Sequence, residues 1–327
     1  ATTYTGNGSA SARNIDTGIA SDWVWIKNRG ASGRHMLYDS TRGVGKYLHS
    51  DTNAAEDTSG TSLSAFNSNG FQLSDDGTYL NAGSNTYVAY NWRSNGGTTS
   101  SGSGDLTSTH QVDPSGGFSI VKAVGDGGSG DKTVSHGLSA APTVILAKNR
   151  DAAYNWDTYF SEGVTAGSGM RLNTNEGPFT GRWGTINSSI FTCKENYTWA
   201  GTNNYIYYCF TNIEGYIKAG TYVGNGNDDG TFSYTGFKPA WLLIREVAQD
   251  NWLLYNNKTL GYNLDSAGNA MVYPDTDNAE ENQASRAIDI LSNGFKLRTS
   301  NATGNASGGN YIYLAFASNP FKYSLAR

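Results

Sequence analysis

The sequence predicts an all-β protein, and three observations carry that prediction. Of the 327 residues, 41 are Gly and 21 are Tyr, while only 16% are charged. The Leu/Ala/Glu/Lys stretches that build helices are nearly absent. Aromatic and β-branched residues come instead in short runs broken by Gly, Asn, Asp and Ser clusters, the pattern of many strands joined by turns.

A chain of this length calls for two or three cores, and internal repeats divide it into three. The clearest block is Ala20-Ser-Asp-Trp-Val-Trp-Ile-Lys-Asn-Arg29, matched by Ala141-Pro-Thr-Val-Ile-Leu-Ala-Lys-Asn-Arg150 and Lys238-Pro-Ala-Trp-Leu-Leu-Ile-Arg-Glu-Val247. Each carries four apolar residues in a row and then a cation: Lys27, Lys148 or Arg245. Before it, Gly6-Asn7-Gly8 matches Gly224-Asn225-Gly226 and, more loosely, Gly125-Asp126-Gly127. After it, Asn69-Gly70-Phe71-Gln72-Leu73 matches Asn293-Gly294-Phe295-Lys296-Leu297, with Ser189–Cys193 as the diverged middle copy. Tyr87–Trp92, Tyr205–Phe210 and Tyr311–Phe316 close the three copies.

The first two copies are set further apart than the last two. The excess falls in a Gly/Ser/Thr-rich stretch around Ser94–Gly104, which has the composition of a flexible connector. The expected organisation is therefore module 1 over 1–95, a linker over 96–117, module 2 over 118–216, and module 3 over 217–327 with a C-terminal tail. Modules 2 and 3 are expected to dock rigidly and module 1 to be more mobile.

Consecutive apolar residues in the central block require a strand covered on both faces, because neighbouring strand side chains point opposite ways. Phe71-Gln72-Leu73 and Phe295-Lys296-Leu297 alternate, as strands with one wet face do. Together these predict three tandem antiparallel β-sandwich modules of one diverged repeat. A closed barrel per module is the alternative. A single fold with internal three-fold symmetry is disfavoured, because the linker would interrupt it.

The formal net charge is -5 and no basic stripe is present, which argues against nucleic-acid and anionic-membrane partners. No apolar run approaches the roughly 20 residues needed to span a bilayer. Starting at Ala1, the chain reads as a processed product or a piece of something larger. A hairpin turning at Ala200–Thr202 would set Cys193 opposite Cys209, but the repeat puts them at the places of Leu73 and Asn91. A free thiol packing as a small hydrophobe is the preferred reading.

Chemistry-bearing motifs are sparse. His35, His49, His110 and His136 show no metal-ligand spacing, and no nucleophile elbow or phosphate loop is present. Among carboxylates, Asp39 and Asp157 each follow an aromatic closely, yet the third copy reads Asn256 where the charge is expected. The pairs Asp75-Asp76, Asp228-Asp229 and Glu280-Glu281 sit in polar turns, a poor arrangement for glycoside hydrolysis. No cofactor is expected. Calcium is the one ion that the clustered oxygens of Asp126, Asp131, Asp228 and Asp229 suit, although neither loop follows the helix-loop-helix spacing. Trp156, Trp183, Trp199 and Trp252, flanked by Asn, Asp or Arg in variable stretches, are the candidate ligand-binding aromatics.

The segments Trp23–Arg29, Leu37–Leu48, Ser62–Phe71 and Tyr311–Lys322 resemble a module repeated in virion proteins of tailed marine bacteriophages. The resemblance covers 1–95 and 217–323; module 2 departs from it at Arg171–Trp199. It implies a non-enzymatic, tail-fibre-like adhesin on the virion surface, synthesised in the host bacterial cytoplasm and contacting a host surface glycan or protein. It also implies association with other virion proteins and homo-oligomers, of which the trimer is the usual fibre form. An architectural fibre shaft or capsid decoration protein is the second reading, and a carbohydrate-binding or depolymerising module the third. The reducing cytosol in which virion proteins are made favours free thiols.

Overall fold

The computed structural model describes residues 1–75, 77–259, 263 and 269–318. The protein is all-β: helical structure among these residues is limited to the single turns Ala284–Arg286 and Ala302–Asn305. All paired strands are antiparallel, and one strand order recurs three times. In the first repeat Thr2–Thr5, Thr86–Trp92, Trp23–Asn28 and Met36–Asp39 lie side by side in that order. Phe118–Val124, Asn204–Phe210, Val144–Asn149 and Asp157–Phe160 do so in the second. Ile217–Val223, Asn310–Ala317, Pro239–Glu246 and Leu253–Asn256 do so in the third.

Each repeat also has a three-stranded sheet: Arg13–Asp16, Gly70–Leu73 and Leu63–Asn67, then Lys132–Ser135, Ile190–Cys193 and Trp183–Ile186, then Phe232–Tyr234, Gly294–Leu297 and Ile288–Leu291. An apolar cluster fills the space between the two sheets of a repeat. In the first it joins Val24, Ile26 and Tyr38 to Ile15, Phe71 and Leu73. The alternation is as expected there, with Phe71 and Leu73 buried and Gln72 half-buried.

Val24 and Ile26 point into that cluster, so Trp23 and Trp25 point out of the other face of the same sheet. That face is also covered. The outer faces of all three large sheets meet in one apolar cluster that holds Trp23, Trp25 and Trp92, then Val144, Tyr208 and Phe210, then Trp241, Leu314 and Phe316. At its centre Trp23 stacks on Trp92 at 4.2 Å and on Tyr208 at 4.4 Å between ring centroids. Trp92 and Phe210 each meet Phe316 edge-on, at 5.5 and 5.6 Å. The four consecutive apolar residues of the central block thus serve two cores, one within the repeat and one shared by all three.

The shared core corrects two expectations. The outer face of the first repeat packs into the same core as those of the other two, and residues 96–117 pair into a sheet rather than running as a free connector. Ser100–Ser101 and Thr107–Val112 are strands that, with Met170–Arg171 at the opposite edge, extend the second repeat's large sheet to seven. Gln111, nearly fully buried, accepts the Gly97 N–H at 3.0 Å and donates to Ser40 Oγ at 2.8 Å, fixing the segment to the first repeat. Low apolar content predicted mobility here, but a ladder of backbone hydrogen bonds needs no apolar side chains. Cys193 and Cys209 are free and buried, on strands of two different sheets.

One glycine position explains a repeat signature. A Cβ on Gly6, Gly125 or Gly224 would lie 2.0, 2.2 or 2.2 Å from the carbonyl oxygen of Ala82, Gly201 or Ala306. Only Gly allows the first strand of each repeat to pass that close to the loop before the last strand.

Candidate functional site

The residues singled out by sequence fall into three groups: those at the junctions between repeats, those in the interior of the second repeat, and those on the surface. At the junctions the contacts run in a ring. The register pairs Val24 with Tyr38, Ile145 with Tyr159, and Leu242 with Tyr255, which places His35, Trp156 and Trp252 at one equivalent position. Each is fully buried and each reaches a backbone carbonyl of another repeat. His35 Nε2 meets Tyr273 O at 2.9 Å, Trp156 Nε1 donates to His49 O at 2.7 Å, and Trp252 Nε1 donates to Arg171 O at 2.9 Å. Trp25 Nε1 donates to His35 Nδ1 at 2.8 Å, so the proton of the neutral ring sits on Nε2 and is directed at Tyr273. Burial, reinforced by nearby Lys27, holds the His35 pKa well below the usual imidazole range.

The cation that ends each central block follows the same ring. Lys27 Nζ donates to Gly33 O at 2.9 Å and Asp277 O at 3.4 Å. Lys148 Nζ donates to Asn149 O at 2.8 Å and Asn53 O at 3.3 Å. Arg245 donates to the carbonyls of Arg171 at 2.9 Å, Thr174 at 3.1 Å and Glu176. Bidentate pairs reinforce two of the junctions, Arg29 with Glu280 and Arg150 with Glu56. At the third the chains meet backbone to backbone, for a Cβ on Gly177 would lie 2.4 Å from Ala248 O. The first repeat thus reaches the third, the second the first, and the third the second.

Burial lowers the Lys148 pKa to about 7 and is the largest cause of the fall at Lys27 to about 8. Between about pH 7 and 10 the unfolded chain therefore holds protons that the folded chain has released, and these two groups make stability rise with pH across that window. Lys148→Met is expected to remove its share. The difference in urea midpoint between about pH 7 and pH 8.5 should be smaller for the variant than for the wild type, and an unchanged difference would refute the assignment.

The two candidate carboxylates are not equivalent. Phe160, not Asp157, pairs with Val144 as Asp39 pairs with Trp23. Asp39 is fully buried, ion-paired with Arg42, and accepts from Tyr208 OH at 2.7 Å. Arg42 continues to Glu56 at 3.1 Å, and Glu56 is shared with Arg150. Asp157 is buried beside Arg182 at 3.6 Å, and burial raises its pKa to about 6. Both carboxylates sit inside the packing of the junctions and the second repeat.

All four tryptophans proposed as ligand platforms are interior, at 0% (Trp156), 2% (Trp183), 0% (Trp199) and 0% (Trp252) exposure. Their indole N–H groups face the interior too: Trp183 Nε1, for example, donates to Thr158 O at 3.1 Å. The calcium candidates are paired with the chain's own groups. Asp126 holds Lys132 at 2.8 Å, Asp131 holds Lys194 at 2.5 Å, and Asp229 takes Lys296 at 2.8 Å and Arg298 at 3.1 Å. Asp228 accepts the Ser300 N–H at 2.8 Å. Among the described residues no group of three His, Cys, Asp or Glu side chains converges. Asp76, from one of the carboxylate pairs, and the C-terminal tail lie outside the described residues.

The surface feature that sequence reasoning missed is a cleft of about 460 Å³ in the first repeat, lined by Ser32, Met36, Tyr47, Ser59, Ser62, Asp75, Gly77, Thr78, Tyr79 and Leu80. Its wall is braced. Asp75 Oδ1 accepts the Gly77 N–H at 2.5 Å, and Gly77 O accepts from Asn81 and Ala82 at 2.9 and 3.0 Å. Fully buried Asn81 donates to Asn7 Oδ1 at 2.7 Å and to Asp75 O at 2.9 Å. Tyr79 is 43% exposed and lies against Gly33, where a Cβ would meet the ring at 3.1 Å. Tyr47 OH donates to Asp57 at 3.1 Å. A comparison of repeats was the available signal. Counting from Leu73 and Leu297, Tyr79 stands where the third repeat has Thr303, which is buried.

Among the described residues no helix is long and apolar enough to cross a membrane. No curated protein and no solved structure matches the chain. One family model covers residues 1–320, almost the whole length over which the repeats and their ring of junctions extend, and on that match the chain belongs to the family described as Domain of unknown function (DUF7483).

Proposed function

We propose that the chain is a non-enzymatic virion structural protein, a tail-fibre-like adhesin built from three diverged β-sandwich repeats closed around one core. The observation that carries this reading is where the recurring side chains lie. The buried cations Lys27, Lys148 and Arg245, and the ring donors His35, Trp156 and Trp252, hold one repeat to another. The pattern shared by the copies thus builds a rigid body, and loops such as the one bearing Tyr79 differ between copies on its surface. That division of labour suits a protein that presents contact loops on a stiff support. The segments that resemble phage virion modules supply core and junction: Trp23 to Arg29 gives two core indoles, Lys27 and Arg29, and Leu37 to Leu48 gives the Asp39–Arg42 pair.

The ring of junctions supplies within one chain what a homotrimer would supply between chains, so copies on a virion are read as associating through other faces. The test has two arms. Antibodies to the protein are expected to label virion tails in electron micrographs, and purified protein at nanomolar concentration is expected to stay on host cells. Labelled virions without cell retention would replace adhesion by an architectural role, and absence from virions would refute the reading.

A further inference from the structure

We infer that the cleft of the first repeat is a binding site for a neutral saccharide, held by the Tyr79 ring with Asp75 and the neighbouring hydroxyls. This deepens the adhesin reading and rests on it only for its biological setting. The volume of about 460 Å³ falls within the roughly 300–1,000 Å³ typical of small-ligand sites. Tyr47 and Tyr79 offer apolar ring faces, and pyranose rings carry C–H faces that pack on such surfaces. Hydroxyls then find partners on the rim: the side chains of Thr78 and Tyr79 make no hydrogen bond among the described residues, and Asp75 has a carboxylate oxygen beyond the one held by Gly77.

Charge decides between saccharide classes. Among the described residues Asp75 is the single charged one of the lining, which includes no Lys, Arg or His. A uronate, sulfate or phosphate group would meet that carboxylate with no cation to compensate it, so an uncharged sugar is favoured. The braced loop adds preorganisation: the Gly77 and Asn81 hydrogen bonds fix the wall before any ligand arrives, which lowers the ordering cost of binding.

The experiment titrates the intact protein with a panel of neutral oligosaccharides based on glucose, galactose, mannose and N-acetylglucosamine, alongside uronate-bearing and sulfated counterparts. Saturable binding of at least one neutral member is expected. Tyr79→Ala should weaken it by about tenfold or more, and Tyr79→Phe by no more than a few fold, because the ring face and not the hydroxyl carries the contact. Tyr234→Ala, at an exposed aromatic of the third repeat, should leave it unchanged, and unaltered melting of each variant confirms an intact fold. No binding of any neutral member, stronger binding of the acidic counterparts, or equal binding by Tyr79→Ala would overturn the inference. Sugar binding without retention on host cells would instead sink the adhesin reading and leave the saccharide site standing.

Discussion

Trp23→Ala is expected to cost about 3–5 kcal/mol, the range for emptying a large aromatic site in a core, and to lower the melting temperature of the whole chain in one transition. The indole stacks on Trp92 in its own repeat and on Tyr208 in the next, and lies within 6.0 Å of Phe210. Its loss therefore opens the shared core, which no single repeat can refill. For a cooperative unit of this length the shift is roughly 1.5 °C per kcal/mol, so a fall of about 5–8 °C is expected. A first repeat that melted by itself would respond several times more steeply and show a separate early transition. Calorimetry distinguishes the two outcomes, and an early separate transition would refute the shared core as the unit of stability.

The second large effect belongs to Arg245→Met. Arg245 is fully buried, and its guanidinium donates to three carbonyls of the second repeat while lying 5.1 Å from the Trp252 ring. Burial as the main cause lowers its pKa to about 10, so it is charged at neutral pH and depends on those acceptors. Met fills the volume but donates nothing. Orphaned buried carbonyls cost about 1–3 kcal/mol each, and a total of about 3–5 kcal/mol is expected. Arg245→Lys should lose only about 1–2 kcal/mol, because Lys27 and Lys148 stand at the same place in the other repeats. Urea denaturation checks both, and equal losses for the two variants would show that the packing of the chain, not donation to the carbonyls, matters.

A third test uses the register itself. The first repeat pairs Trp25 with His35 where the others pair Leu146 with Trp156 and Leu243 with Trp252. The large ring has changed sides. Trp25→Leu alone leaves a hole and His35→Trp alone overfills it, each at about 1–4 kcal/mol. The double variant restores the arrangement of the other two repeats and should lose less than either. The coupling free energy is expected to reach about 2 kcal/mol, within the range for residues in contact, and additive losses would contradict the equivalence.

These cases show what the sequence makes legible. Four apolar residues in succession mark a strand buried on both faces, and Trp23 to Ile26 are buried as that pattern requires. Alternation at Phe71-Gln72-Leu73 gives the half-wet strand. What lies on the second face is not encoded in any local pattern: the same run is satisfied by a helix, a second sheet or two more copies of itself. Composition misleads separately over 96–117, where a Gly/Ser/Thr-rich stretch predicts a linker but strand pairing and Gln111 fix the chain. The tryptophans were misassigned for a related reason. An indole flanked by Asn and Asp reads as a surface platform, yet here the flank is tied inward around a buried ring: Asn155 Oδ1 accepts from Asn173 Nδ2 at 2.8 Å, and Asn173 Oδ1 in turn accepts the Trp156 N–H at 2.8 Å. Tyr79 was hidden because its meaning lies in a difference between copies at one position, not in its neighbours.

The ring of junctions has a consequence for the order of events during synthesis. Lys27 and Arg29 find their partners at Asp277 and Glu280, separations of 250 and 251 residues. A nascent chain that has emerged only through the first repeat carries the outward faces of Trp23, Trp25 and Trp92 with nothing yet made to cover them. Contacts of such range are slow to form, and uncovered aromatic surface invites association in the interval. The last repeat therefore acts as a closing latch, and the yield of folded protein should depend on how fast the ribosome delivers it.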